Sequence, residues 1–144
     1  MVDEFKWFDL PARLLMASLF LQSGIVKLLD VSGTEAYMRA FGVPSVLMWP
    51  AAVWEITSGV MLALGIGTRW VASLLSIWCL LTAVFFHTDF SSPLMQIMFF
   101  KNMVMAGGFI AMARSGASGL SMDRWFAQRR AASAMQDTRL TGGR

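Results

Sequence analysis

Residues 70–86 read WVASLLSIWCLLTAVFF, a run with no charged residue and with Ser73, Ser76 and Thr82 as its polar side chains. At 1.5 Å per residue it makes about 25 Å of helix with no polar face, the pattern of a buried or lipid-facing span. Three stretches of the same kind accompany it, at 10–29, 45–64 and 94–113. Four crossings use about 80 residues and leave short loops and one tail, whereas five would leave almost no tail. The composition agrees: 56% hydrophobic and 15% charged, against about 45–50% and about 25% in soluble domains. Mean hydropathy is +0.57. The fold class expected is all-α, an integral membrane four-helix bundle.

The boundaries follow from local chemistry. Asp9 can accept from the first free N–H groups of the first span, and Pro11 sits in its first turn, where no donor is missed. Residues 33–42 read as a short amphipathic surface helix, capped by Thr34, with Tyr37, Met38 and Phe41 on its apolar side and Gly42 as terminator. Pro50 should bend the start of the second span. Gly65, Gly67, Thr68 and Arg69 make a tight turn, His87 to Asp89 end the third span, and Gly107 with Gly108 suits close helix contact in the fourth. Residues 1–9 form a polar N-terminus without the features of a cleaved signal. Residues 114–144 form a basic tail in which six arginines surround an apolar side of Met122, Trp125, Phe126 and Met135. That is the pattern of an amphipathic helix on an anionic membrane surface, with a loose end from residue 138.

Charge placement orients the chain. One side of a four-span topology carries Lys6, Arg13, Arg69 and the six tail arginines, while the loops of the other side carry only Arg39. The positive-inside rule then puts both termini in the cytoplasm. The net charge is +3 and the pI about 9.6, but nucleic acid is not an indicated partner. With one cysteine, Cys79, and one histidine, His87, an internal disulfide, a CxxC pair, a zinc site and a bis-histidine haem are not expected, so no metal site is assigned.

The residues that do not belong in a lipid span carry the functional signal. Glu55 lies ten residues into the second span, about 15 Å deep, where an ionised side chain costs about 2.5 to 3.5 kcal/mol without a partner, a proton or water. Candidate partners are Lys101 in the fourth span, Lys27 near the outer end of the first and His87 at the end of the third. Each span thus contributes one such group to the same leaflet, which implies a polar pocket inside the outer half of the bundle. Simpler readings stand beside this one: a structural Glu55–Lys101 pair, a Lys27 that snorkels to the headgroups, an interfacial His87, an Arg13 facing inner-leaflet phosphates, and a Cys79 that only packs.

The motifs Arg13…Phe20…Ser23-Gly24…Lys27-Leu28, Gly42-Val43-Pro44, Glu55…Ser58-Gly59, Gly65…Thr68-Arg69, Phe85-Phe86-His87…Asp89, Gln96…Lys101-Asn102 and Gly116…Gly119-Leu120-Ser121-Met122-Asp123 resemble, in order and spacing, the DoxX family of small bacterial membrane proteins. The resemblance runs from about Leu10 to Trp125. It departs from the family at Ser58-Gly59, where two glycines are common, and in the tail beyond Trp125. It implies a four-helix bundle in the bacterial inner membrane. It also implies association with quinol oxidase or thiosulfate:quinone oxidoreductase systems, with Arg13, Lys27, Glu55, His87, Lys101 and Asn102 at the family's polar positions as ligand-binding or proton-handling candidates.

Three functions are compatible with these residues. The first is a redox-linked accessory subunit that binds a quinone, with no intrinsic cofactor, and takes its electrons from a membrane or soluble oxidoreductase partner; alone it is not expected to be an enzyme. The second is a non-catalytic assembly or stabilising partner of a larger membrane complex. The third and weakest is a proton-coupled carrier, since no duplicated halves are visible. The bilayer is the one partner implied by all three. Substrate, pathway and oligomeric state are not legible.

Overall fold

The computed structural model describes residues 6–141, with side chains for 7–136. Expectations for residues 1–5 and 142–144, including Arg144, lie outside the described residues; of the loose end expected from residue 138, residues 138–141 are helical. The described chain is all helical. Four of its helical segments are long and apolar enough to cross a membrane: Trp7–Leu29, Ser45–Leu64, Thr68–Phe86 and Pro93–Ser115.

Helix α1 spans Lys6–Leu29 and α2 spans Val31–Ala40. A single 3-10 turn, Ser45–Leu47, leads into α3, Met48–Leu64. Helices α4 and α5 span Thr68–Phe86 and Pro93–Ser115, and α6 spans Met122–Thr141. Several ends differ from the local reading, each for a physical reason. Asp9 lies inside α1 and does not cap it; its carboxylate is drawn instead to Arg13 and to the N–H groups of Ser118 and Gly119. Asp30, not Thr34, caps α2, accepting from Gly33 N at 2.9 Å. Pro50 falls in the first turn of α3, where its missing donor costs nothing, and a 3-10 turn precedes that helix. Helix α4 begins two residues before Trp70 because a carboxylate from another segment caps it, as described below.

Helix α1 packs along α3 and α4 along α5, and the two pairs meet mainly through α3 and α4. Close approach within the first pair is set by glycines facing the partner helix. A Cβ at Gly24 would meet Ile56 Cγ1 at 2.6 Å, and one at Gly59 would meet Leu21 at 3.0 Å. The expected glycine contact in α5 holds for one residue of the pair: a Cβ at Gly108 would meet Met16 Cε of α1 at 3.2 Å, whereas Gly107 has nothing within 4 Å.

The core fills one half of the bundle. Ala17, Phe20, Leu62, Leu75, Cys79, Ala106, Phe109 and Met112 pack together there, with the Phe20 ring edge-on to Phe109 at 5.5 Å. Below this core, at what we call the base, polar contacts tie distant segments together. Arg13 is fully buried and donates to Leu62 O, Ala63 O and Leu120 O while pairing with Asp9 at 3.1 Å. Asp123, from the start of α6, accepts from Gly67 N at 2.7 Å and Thr68 N at 2.9 Å, so it supplies the cap for α4. Arg13 therefore faces backbone carbonyls, not lipid phosphates.

Beyond the base, α6 is exposed from Arg124 to Gln136. Its apolar residues do not form one stripe. At 100° per residue Met122, Trp125 and Phe126 fall within about 100° of one another, whereas Met135 lies on the other side of the helix. Arg129 stacks on Trp125, 4.0 Å from the ring centre.

Candidate functional site

The other half of the bundle, toward the mouth, is only partly filled, by a small cluster of Met38, Met48 and Ala52. A cavity of about 980 Å³ opens between the two helix pairs and is lined by all four spans and by α2. Helix α1 packs along α3, so Lys27 reaches Glu55 across that interface, where Gly24 brings the two backbones together. The Lys27 Nζ to Glu55 Oε2 distance is 2.7 Å, and Lys27 also donates to Ser23 Oγ at 2.7 Å. Trp78, from α4, donates its indole N–H to Glu55 Oε1 at 3.2 Å. Both carboxylate oxygens are thus engaged, one by an ammonium and one by a neutral donor, and Glu55 is 5% exposed.

This pairing revises the order of partners. Lys101, named first among them, is an exposed residue of α5 that lines the cavity without an ion pair among the described residues. The reason is packing: α5 lies against α4, and the helix against α3 is α1. Lys27 does not snorkel away but folds inward. Asn102 is buried beside Lys101, and its amide donates to Met98 O at 2.9 Å within its own helix.

His87 caps the C-terminal end of α4 and lines the cavity, and its Nδ1 is buried without a partner. Burial holds its pKa below 6.5. The Phe86 backbone opposes this without reaching hydrogen-bond geometry, and the Lys101 charge adds to it. A neutral imidazole with a free ring nitrogen is available there near neutral pH. Over the cavity α2 lays an aromatic cover, with Tyr37 stacked on Phe86 at 5.6 Å and Phe41 beside both.

The structure thus gathers Lys27, Glu55, His87, Lys101 and Asn102 on one cavity and leaves Arg13 at the base, on the far side of the apolar core. Trp78 is not among the residues the sequence reading singles out for the site. Its signal was there: Trp78, Leu81, Thr82 and Phe85 follow the i, i+3, i+4, i+7 spacing of one helix face, and all four line the cavity. Chemically, the site can donate hydrogen bonds from Lys27, Lys101 and Trp78, accept them at His87 and Glu55, and enclose an apolar body.

The DoxX family model matches residues 8–88, a stretch that includes Lys27, Glu55, Trp78 and His87 and ends before Lys101. The chain is 36% identical over 115 residues to Inner membrane protein YqjF of Escherichia coli (strain K12), covering 80% of this chain and 88% of that one. It is 33% identical over 123 residues to Inner membrane protein YphA of the same organism, covering 80% and 87%. No solved structure matches the chain.

Proposed function

Because this chain belongs to the DoxX family of integral membrane proteins, we propose that it is an accessory membrane subunit whose cavity binds a quinone or a similar lipid-soluble electron carrier. We further propose that both termini are cytoplasmic, so that the cavity opens toward the periplasm, in keeping with the lysine and arginine count. The observation that carries the reading is the Lys27–Glu55–Trp78 group at the wall of a cavity whose lining mixes apolar side chains with a few polar ones. Ligand pockets span about 300 to 1,000 Å³ and combine such walls with a few convergent polar groups. A quinone presents two carbonyl acceptors, and the cavity has separate donors for them in Lys27 and Lys101. His87, with its unpartnered Nδ1, and Glu55 are groups that can hold a proton next to a reduced ring oxygen. When bound, the quinone supplies the two-electron chemistry. The chain's own residues bind, orient and handle protons, and a partner oxidoreductase supplies the electrons.

A second reading, a subunit that assembles a larger complex, is favoured by α6, which extends exposed from the base with Arg124, Arg129 and Arg130 along it. The two readings separate in one experiment. Protein in nanodiscs is titrated with a short-tailed quinone while tryptophan fluorescence is followed. Saturable quenching, weakened by Glu55→Gln or Lys27→Met, supports the quinone site. Linear, unsaturable quenching, the same in both variants, removes it and leaves assembly as the reading.

A further inference from the structure

The charges that face the cavity are not all matched. Lys27 and Glu55 neutralise one another at 2.7 Å. Asp30, at the mouth, is committed to the start of α2, where its carboxylate accepts from Gly33 N at 2.9 Å and lies 3.5 Å from Ser32 Oγ. Lys101 has no carboxylate within 4.0 Å among the described residues, and the neighbouring Asn102 amide is turned to its own helix. Lys101 stands eight residues into α5, which begins at Pro93, so its Cα lies about 12 Å from the helix end. At that depth in a span a lone ammonium needs a counter-charge or steady hydration.

We infer that Lys101 is a second recognition point in this cavity, for an ionised oxygen, and that the ligand is an amphiphile whose head is a carboxylate, a phosphate or a phenolate. The inference rests on the cavity being a ligand site, as proposed above, and adds which form of ligand it selects. An ammonium on a flexible stem binds as a point charge and does not require the planar geometry an arginine would. That suits a head whose exact shape is open but whose sign is fixed. Leu81, Phe85, Met98 and Met105 offer the apolar wall for the rest of the molecule. The Lys27–Glu55 pair, being internally neutral, does not supply this charge preference, so the two points are separable by mutation.

The test uses full-length protein in phosphatidylcholine nanodiscs at pH 8.5 and three probes that share a twelve-carbon tail: dodecanoate, dodecyl phosphate and dodecanol. The expected result is saturable binding of both anions roughly 10-fold tighter than the alcohol, a preference kept in Lys101→Arg and lost in Lys101→Met. Thermal unfolding of both variants near that of the parent protein shows that the loss is not misfolding. Equal affinity for anion and alcohol, or a preference that survives Lys101→Met, overturns the inference while leaving the cavity a ligand site. If no probe binds saturably, the ligand-site reading itself fails. Phosphatidylglycerol added to the nanodiscs separates the sources: competition with dodecanoate identifies a bilayer lipid as the anion, and its absence a free amphiphile.

Discussion

Replacing Lys27 with methionine removes the ammonium from a carboxylate whose other donor is the Trp78 indole, 3.2 Å away. Stripping one partner from a buried ion pair costs about 3 to 5 kcal/mol. Lys27→Met is therefore expected to lose about 3 kcal/mol. Glu55→Gln should lose less, about 1 to 2 kcal/mol, because Lys27 keeps Ser23 and its side chain is 22% exposed and can draw on water. In the double variant no charge is stranded and the glutamine carbonyl still accepts from Trp78, so its loss should stay near that of Glu55→Gln. The coupling energy of the cycle is then about 3 kcal/mol. Unfolding in mixed micelles, titrated with a denaturing detergent and followed by tryptophan fluorescence, measures all four proteins. A coupling below about 0.5 kcal/mol would refute the pairing as an energetic unit, because two exposed or water-separated charges behave that way.

Three further outcomes follow from the base of the bundle. Arg13→Met strips donors from Leu62 O, Ala63 O and Leu120 O and should cost about 3 kcal/mol in the same assay; Arg13→Lys should recover little of it, because an ammonium cannot reproduce the fork. Gly65→Ala combines a φ of +68° with a Cβ 2.5 Å from Ser121 Cβ and 2.6 Å from Arg13 Nη1, whereas Gly67 has a φ of +57° and open space. Gly65→Ala should therefore lose about 2 to 3 kcal/mol and Gly67→Ala about 1. Asp123 is partly desolvated, which raises its pKa, but the N–H groups of Thr68 and Gly67 outweigh this and hold it below 3.8. A depressed carboxylate contributes stability that is present above its ordinary value and lost as pH falls through its folded value. Acid unfolding below about pH 4 should accordingly flatten in Asp123→Asn, and an unchanged acid limb would remove Asp123 as its source.

The spans were legible because hydropathy and length suffice to find them, and the buried polar residues because each is costly where it stands. What the sequence does not encode locally is which helix lies beside which. Lys27 and Lys101 are equivalent partners for Glu55 until α1 is known to pack along α3 and α5 along α4. The same gap hid the base. Asp123 caps a helix that starts 55 residues earlier in the chain, so no capping signal stands near Thr68, and Arg13 reads as an interfacial cation until the carbonyls of Leu62 and Ala63 converge on it. Trp78 was missed for a different reason: its indole N–H is one polar atom on a side chain that hydropathy counts as apolar.

The two ends of this bundle follow opposite rules, and the difference constrains what the mouth end holds. The cavity is open at the mouth, so what occupies it is set by which groups its walls can satisfy. Water satisfies Lys27, Lys101 and His87 but gains nothing from Leu81, Phe85, Met98 and Met105; an acyl chain alone does the reverse. A molecule polar at one end and apolar along its body matches both. Phe20 and Phe109 belong to the packed core on the base side, so a molecule bound as proposed would exchange on the mouth side, past the aromatic cover of α2. The Tyr37–Phe86 stack is then the contact that sets how fast it leaves: Tyr37→Ala should raise the off-rate of any saturable probe more than it changes the selectivity governed by Lys101.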